Sequence, residues 1–353
     1  MPGLSLVMIA RNEARCIERC LSSVREHVDA MFVLDTGSTD GTPEIACRAG
    51  ARVESFEWCD DFSAARNAAL QRADADWALV LDADEWLVDG APALLALRGE
   101  PPIYTGVLRI DNLYGPEQTR AARSASWLPR VLPRGVRYEG RIHEQPSIEW
   151  PRRRLDVTVL HDGYLDAAMR GKQGRNEALL RLALADRPDD LYWHYQLGKD
   201  LELRAQFAQA LPHYQRAHAG VLGGDPWHHD LVLRLLFTLK KLGRHADAIE
   251  IAQAEMARFS ESPDFCFTLG DLLLDWAAHE PARGADLLPM IESAWQRAVA
   301  IGERPELPDS VLGRGSFLAA HNLAVLYDGL RDTAQARHWR GREREMRAAV
   351  AAA

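Results

Sequence analysis

Between Leu4 and about Gly90 the chain alternates four short apolar runs with helix-like segments, and this alternation narrows the possible folds more than any other feature. The runs are "LSLVMIA" (Leu4–Ala10), "AMFVLD" (Ala30–Asp35), "ARVESFEW" (Ala51–Trp58) and "WALVLDAD" (Trp77–Asp84). Between them lie "RNEARCIERCLSSVREH", amphipathic at helical spacing, then "PEIACRAG" with Pro43 near its first turn, then "SAARNAALQRA". Apolar strands separated by helices imply a mostly parallel sheet, Rossmann-like, with helices on both faces. Ligands of such sheets bind beyond the carboxyl ends of the strands. Polar residues gather at those ends here: Arg11-Asn12-Glu13, Asp35-Thr36-Gly37, Trp58 to Asp61, and Asp82 to Glu85.

From about Pro101 to Tyr164 the runs become short and alternating, as in "YTGVLRIDNLYG" and "DVTVLHDGYLD". They predict mixed or antiparallel strands that extend the first sheet. After about Met169 the strand signals stop and apolar residues recur at helical spacing. Gly198, Phe207, Ala210, Tyr214 and Ala217 stand at the offsets of a tetratricopeptide repeat. Gly243 and Ala248, then Gly270, then Ala324 and Ala336 restart the pattern, giving three to four all-α units. The expected division is 1–170 for the α/β domain and 171–353 for the repeats.

Composition removes several function classes. A formal net charge of −9 over 353 residues argues against a nucleic-acid partner. Five cysteines (Cys16, Cys20, Cys47, Cys59, Cys266) are few and odd in number, which fits a reducing compartment. Cys16 and Cys20 have no neighbouring Cys or His to complete a zinc site. The opening "MPGLSLVMIARNEA" has no basic lead and an apolar run too short to span a bilayer. These features read as a cytoplasmic protein, with at most peripheral contact at the inner face of the membrane.

"SLVMIARNEARCIERCLSSV", "FVLDTGSTDGT", "DDFSAARNAAL" and "ALVLDADEWL", in that order, resemble the nucleotide-sugar-binding half of family 2 glycosyltransferases, which have a GT-A fold. The later "GRIHE" and "VLHDGY", followed by helical repeats, are similar to the tetratricopeptide-bearing subgroup, which includes lipopolysaccharide-core glucosyltransferases and bacterial peptide glycosyltransferases. The resemblance implies an inverting transfer of a hexose from a nucleoside-diphosphate sugar, a UDP-sugar above all, to a saccharide, lipid-linked saccharide or peptide. A nucleotidyltransferase would place a glycine-rich basic loop after the first strand, and "ARNEA" has no glycine. A repeat scaffold with an inactive domain would have lost the acidic residues, and they are present.

The chemistry of glycosyl transfer asks for the same residues. A departing diphosphate needs a divalent cation, Mn2+ or Mg2+, held by carboxylates. Strand alternation would put Asp82 and Asp84 on one face and Glu85 on the other, outside the metal shell. The resemblance implies that Asp84 binds the metal directly, while Asp82 touches the ribose or reaches the metal through water. His161 is a candidate third ligand. Glu144 is the candidate general base, with His143 beside it as an alternative base or a hydrogen-bonding partner of donor or acceptor. Asp35 would accept from the base or ribose, and the backbone of Ala10, Arg11 and Asn12 together with Arg66 would frame the base. Lys172 and Arg175 either neutralise the diphosphate or line a solvated helix face, and Arg130 is open in the same way. The repeats would recognise the acceptor, a partner, or a second copy of the chain.

Overall fold

The computed structural model describes residues 3–115, 122–147, 150–165 and 174–352. The chain divides into two compact units, Met1–Pro188 and Asp189–Ala353.

The strands of the first unit are β1 (Leu4–Ala10), β2 (Ala30–Asp35), β3 (Arg52–Ser55), β4 (Trp77–Val80), β5 (Glu85–Asp89), β6 (Thr105–Gly115), β7 (Ala122–Pro133) and β10 (Arg152–Leu165), with a short ribbon of β8 (Tyr138–Glu139) and β9 (Gln145–Pro146) between the last two. The main sheet runs β3-β2-β1-β4-β7-β6-β10-β5. Its first four strands are parallel. β7 lies antiparallel to both β4 and β6, while β10 is parallel to β6 and antiparallel to β5. The helices of this unit are α1 (Ile17–Val24), α2 (Thr42–Arg48), α3 (Phe62–Ala73), α4 (Ala91–Ala96) and α5 (Arg175–Asp186).

β1 is apolar throughout because both of its faces are covered. Leu4, Leu6 and Met8 pack with Ile17, Cys20, Leu21 and Val24, the i, i+3, i+4, i+7 stripe of α1. Val7 faces the other way, among Phe32, Leu34, Val80 and Ala69 of α3. Each such side chain contributes about 1.5–3 kcal/mol on burial.

Two local expectations are corrected. The first helix starts at Ile17 rather than Arg11, since Asn12 takes a left-handed φ of 57° and Glu13 O accepts from Cys16 N and Ile17 N at 3.0 Å. The fourth strand stops at Val80, before Asp82 and Asp84. Glu85 N donates to Asp82 O at 3.0 Å and Glu85 Oε2 accepts from Asp82 N at 3.0 Å, which closes a turn. Strand alternation therefore does not set the directions of these carboxylates.

The second unit holds four helix pairs among the described residues: α6 (Leu191–Leu203) with α7 (Phe207–Gly220), α8 (His228–Lys241) with α9 (His245–Glu255), α10 (Pro263–His279) with α11 (Gly284–Ile301), and α12 (Phe317–Gly329) with α13 (Thr333–Ala352). Small residues let the partners approach: a Cβ on Gly198 would stand 2.7 Å from the Tyr214 ring, and one on Gly270 would meet Trp295. Ala210, Ala217, Ala248, Ala324 and Ala336 are buried at the remaining small positions. No helix of the described residues is long and apolar enough to cross a membrane.

Candidate active site

The tip of β4 carries a largely buried ion cluster, with Asp82 its partly exposed member. Asp61 caps α3, its Oδ1 accepting from Ala64 N at 3.0 Å, and the helix then directs Arg66 at Asp82. Arg66 Nη2 donates to Asp82 Oδ1 at 2.7 Å, and its Nε donates to Glu144 Oε1. Arg130, inside β7, donates through Nη2 to Asp82 Oδ2 at 3.0 Å and to Glu85 Oε1. Two buried guanidiniums thus serve three carboxylates.

Burial alone would raise the Asp82 carboxyl, but the charges of Arg66 and Arg130 outweigh it and hold Asp82 far below the usual carboxylate range. Glu85 goes the opposite way: its burial, with repulsion from Asp82, wins over Arg130 and pushes it up. Among the described residues, Arg66 Nη1, Arg130 Nε and Tyr138 Oη are buried and find no hydrogen-bond partner. The cluster accordingly holds unused donors.

Asp84 and His161 form a second centre. His161 lies within β10 rather than at the end of a strand, paired in register with Glu85 on one side and Asn112 on the other. Its Nε2 is 3.5 Å from Asp84 Oδ2, and its Nδ1 is 2.8 Å from Asn112 Oδ1. Asn112 Nδ2 donates to Ser126 Oγ at 3.0 Å, which turns the amide oxygen toward the imidazole. The proton then belongs on Nδ1 and the Nε2 lone pair faces the carboxylate. Two acceptors in that position repel one another unless a cation, metal ion or proton, lies between them.

Gly163 provides the room, since a Cβ there would collide with both Asp84 Oδ2 and His161 Nε2. One carboxylate oxygen and one imidazole nitrogen beside a bare backbone fit a divalent cation. Next to them Asp162 accepts from Arg15 at 3.1 and 3.2 Å and from Arg19 at 2.7 Å, while its N–H donates to Asp84 O at 3.2 Å. The backbone bond ties β10 to the Asp84 turn, and the two arginines tie it to α1 and the loop before it.

The tips of β1 and β2 form a third group. Asp35 accepts from Gly37 N at 3.1 Å and Ser38 N at 3.0 Å. Ala10 O accepts from Thr36 N at 2.9 Å; Asn12 N donates to Ser38 Oγ at 2.9 Å, and its Oδ1 accepts from Thr39 N at 2.8 Å. Arg11 and Asn12 are exposed there. Gly37 and Gly41 have φ of 102° and 82°, which a tight turn at these points requires.

Of the remaining sequence candidates, Glu144 joins the ion cluster directly. His143 precedes it at a left-handed φ of 51°, its carbonyl accepting from Gln145 Nε2 at 3.4 Å. Lys172 lies outside the described residues, and of Arg175 only the backbone, at the start of α5, is described. The structure brings Asp82, Arg66 and Glu144 together, and separately Asp84 with His161.

Sequence reasoning left Arg130 open and passed over Asn112, Asp162 and Gly163. A lone arginine inside the apolar "WLPRVLP" was the available signal for the first, because a charge in the middle of a strand needs a buried partner. Asn112 gave no comparable signal.

The chain thus joins an α/β domain, with acidic residues at its strand tips and a carboxylate–histidine pair, to a series of paired helices. Residues 5–132 match the model of glycosyl transferase family 2. That match lies within the N-terminal unit.

A TPR repeat-containing protein of Synechococcus elongatus is 39% identical over 213 residues, covering 56% of this chain and 52% of that protein. The SPbeta prophage-derived glycosyltransferase SunS of Bacillus subtilis is 25% identical over 224 residues, covering 61% and 53%. The chain spans about half the length of these curated relatives. Among solved structures, the crystal structure of MamA aligns with 52% of this chain and 94% of its own at 14% identity and a TM-score of 0.40.

Proposed function

We propose that the chain is a metal-dependent, inverting glycosyltransferase that moves a hexose from a nucleoside-diphosphate sugar to a saccharide, lipid-linked saccharide or peptide acceptor. The observation that carries the reading is the Asp84–His161 pair, 3.5 Å apart across a glycine backbone, beside the ion cluster of Asp82, Arg66 and Glu144.

In this reading Asp84 and His161 hold Mn2+ or Mg2+, with Asp82 near the ribose or in the outer shell. The ion would neutralise charge on the departing diphosphate. Asn112 keeps the His161 lone pair aimed at it. Asp35 and the Ala10–Asn12 backbone receive the base and ribose. Glu144 takes the proton of the attacking acceptor group, held in place by Arg66, and His143 is the alternative base. The repeats, 171–353, engage the acceptor or a second copy of the chain.

UDP-glucose and UDP-N-acetylglucosamine are the donors to examine first, by thermal shift and by hydrolysis with Mn2+ or Mg2+, in the parent chain and in Asp84→Ala. A donor at about 100 times its Kd should stabilise the parent by about 2.7 kcal/mol, and Asp84→Ala should lose both the shift and the hydrolysis. If no nucleotide sugar shifts the parent, the chain is a repeat scaffold with an inactive domain. If Asp84→Ala keeps full hydrolysis, the metal lies elsewhere.

A further inference from the structure

The helical unit contains a group of side chains that glycosyl transfer does not use. His218 near the end of α7, His228 at the start of α8 and Glu255 at the end of α9 bring one ligand atom each to a common point, all within 4.8 Å of one another. Glu255 Oε1 is 3.0 Å from His218 Nε2 and 3.2 Å from His228 Nε2. We infer that these three residues form a divalent-metal site of Zn2+ type, which clamps the first helix pair to the second.

Distances favour this. Zinc binds imidazole nitrogen at about 2.0–2.1 Å and carboxylate oxygen at about 2.0–2.2 Å, and a tetrahedron of those edges puts ligand atoms roughly 3.3–3.5 Å apart. The observed nitrogen–oxygen separations are a few tenths of an ångström shorter, so small ring movements suffice. Two nitrogens and one oxygen suit a borderline ion such as Zn2+ better than Mg2+ or Ca2+.

The surroundings hold the ligands in place. Glu255 Oε2 is 3.4 Å from Arg258 Nε, which leaves Oε1 for the imidazoles and supplies the outer partner a ligating carboxylate wants. Phe259 packs edge-on against the His228 ring at 5.3 Å. His228 Nδ1 is buried without a partner already, and moving the proton to it on metal binding leaves the number of unpaired atoms unchanged.

The alternative is a pair of ordinary imidazole–carboxylate hydrogen bonds with no metal. A second group, His245, Asp275 and His279, is a rival zinc site and serves as an internal control. The experiment uses the untagged 353-residue chain carrying Asp84→Ala, so that metal at the strand tips is not counted. After chelation, Zn2+ alone is added and the protein is gel-filtered. One zinc per chain should be retained with a raised Tm that depends on free Zn2+, and Co2+ should give the visible band of a tetrahedral site.

His218→Gln and Glu255→Gln, both at partly exposed positions, should weaken zinc binding by at least about 100-fold, beyond the roughly 10–100-fold typical of losing an outer-shell partner. His279→Gln should change nothing. X-ray absorption at the zinc edge should show two imidazole nitrogens without sulfur, a measurement that needs no variant to fold. The inference is overturned if the parent retains no zinc, if retention survives His218→Gln and Glu255→Gln, if it follows His279→Gln, or if the edge shows sulfur ligands.

Discussion

His161 Nε2 stands 3.5 Å from Asp84 Oδ2, across a backbone at Gly163 with no room for even a methyl group. Gly163→Ala is therefore expected to push the Asp84 carboxylate and the His161 imidazole apart, which in the proposed reading displaces the metal ligands. Misplacing a reacting group by about 1 Å costs on the order of 100-fold in rate, so metal-dependent turnover of the donor should fall by about that factor with a small change in Tm. Retention of activity within a few-fold, measured at saturating Mn2+, would remove this pair from the metal centre.

Arg66 joins two carboxylates that lie far apart in sequence, Asp82 and Glu144. Removing one partner of a buried ion pair costs about 3–5 kcal/mol; the Glu144 pair is buried, whereas Asp82 is partly exposed and adds less. Arg66→Met should lower stability by about 3 kcal/mol in urea unfolding, the lower end of that range. Arg66→Lys should recover only part of it, since one ammonium cannot reproduce a fork that bonds in two directions. A loss below about 1 kcal/mol for Arg66→Met would mean that Arg130 and solvent already satisfy Asp82.

How much of this was legible beforehand depends on how local each cause is. The parallel strands of the first half are set by apolar runs within single segments such as Leu4–Ala10, and the sequence shows them directly. The repeat pairs are legible for the same reason, through Gly198 and Gly270 and their aromatic partners. The turn at Asp82–Asp84 is closed by the side chain of Glu85 on the backbone of Asp82, a bond that periodicity does not reveal. Arg130 meets Asp82 and Glu85 because β7 lies beside β4, and Asn112 meets His161 because β6 lies beside β10. Those neighbours follow from strand order, which no segment carries by itself. Arg66, expected to help frame the base, bonds Asp82 and Glu144, partners that the local sequence does not reveal.

Asp230 gives the helical unit a stability that depends on pH. It is buried, accepts from Tyr195 Oη at 2.5 Å and Arg234 Nε at 2.6 Å, and has Lys199 Nζ at 3.7 Å. Burial would raise its carboxyl, but Arg234 and Lys199 prevail and hold it well below the ordinary range. A carboxyl depressed on folding contributes stability above its unfolded value, about 3.9, and loses it progressively as pH falls from there toward the folded value. Asp230→Asn should cost about 3 kcal/mol at pH 7, with Glu202 still pairing Arg234 at 2.9 Å. Urea unfolding from pH 7 to pH 3 should show the gap between parent and variant constant down to about pH 4 and narrowing below it. A gap that widens in acid would assign the stability to another group.

Two glycines, one in the first helix pair and one in the fourth, separate helix propensity from packing. In α6, a Cβ on Gly198 would stand 2.7 Å from the Tyr214 ring, whereas in α13 nothing lies within 4 Å of one on Gly341. Alanine in a helix interior is worth up to about 1 kcal/mol over glycine, and Gly341→Ala should show that gain. Gly198→Ala has the same propensity term opposed by overpacking of about 1–3 kcal/mol, because Tyr214 is fully buried and its hydroxyl is held by Glu202 at 2.7 Å. It should therefore lower stability by up to about 2 kcal/mol, the overpacking less the propensity gain. Urea midpoints that rise for both substitutions would show that α6 and α7 have slack between them, and that close approach is not what the small residue provides.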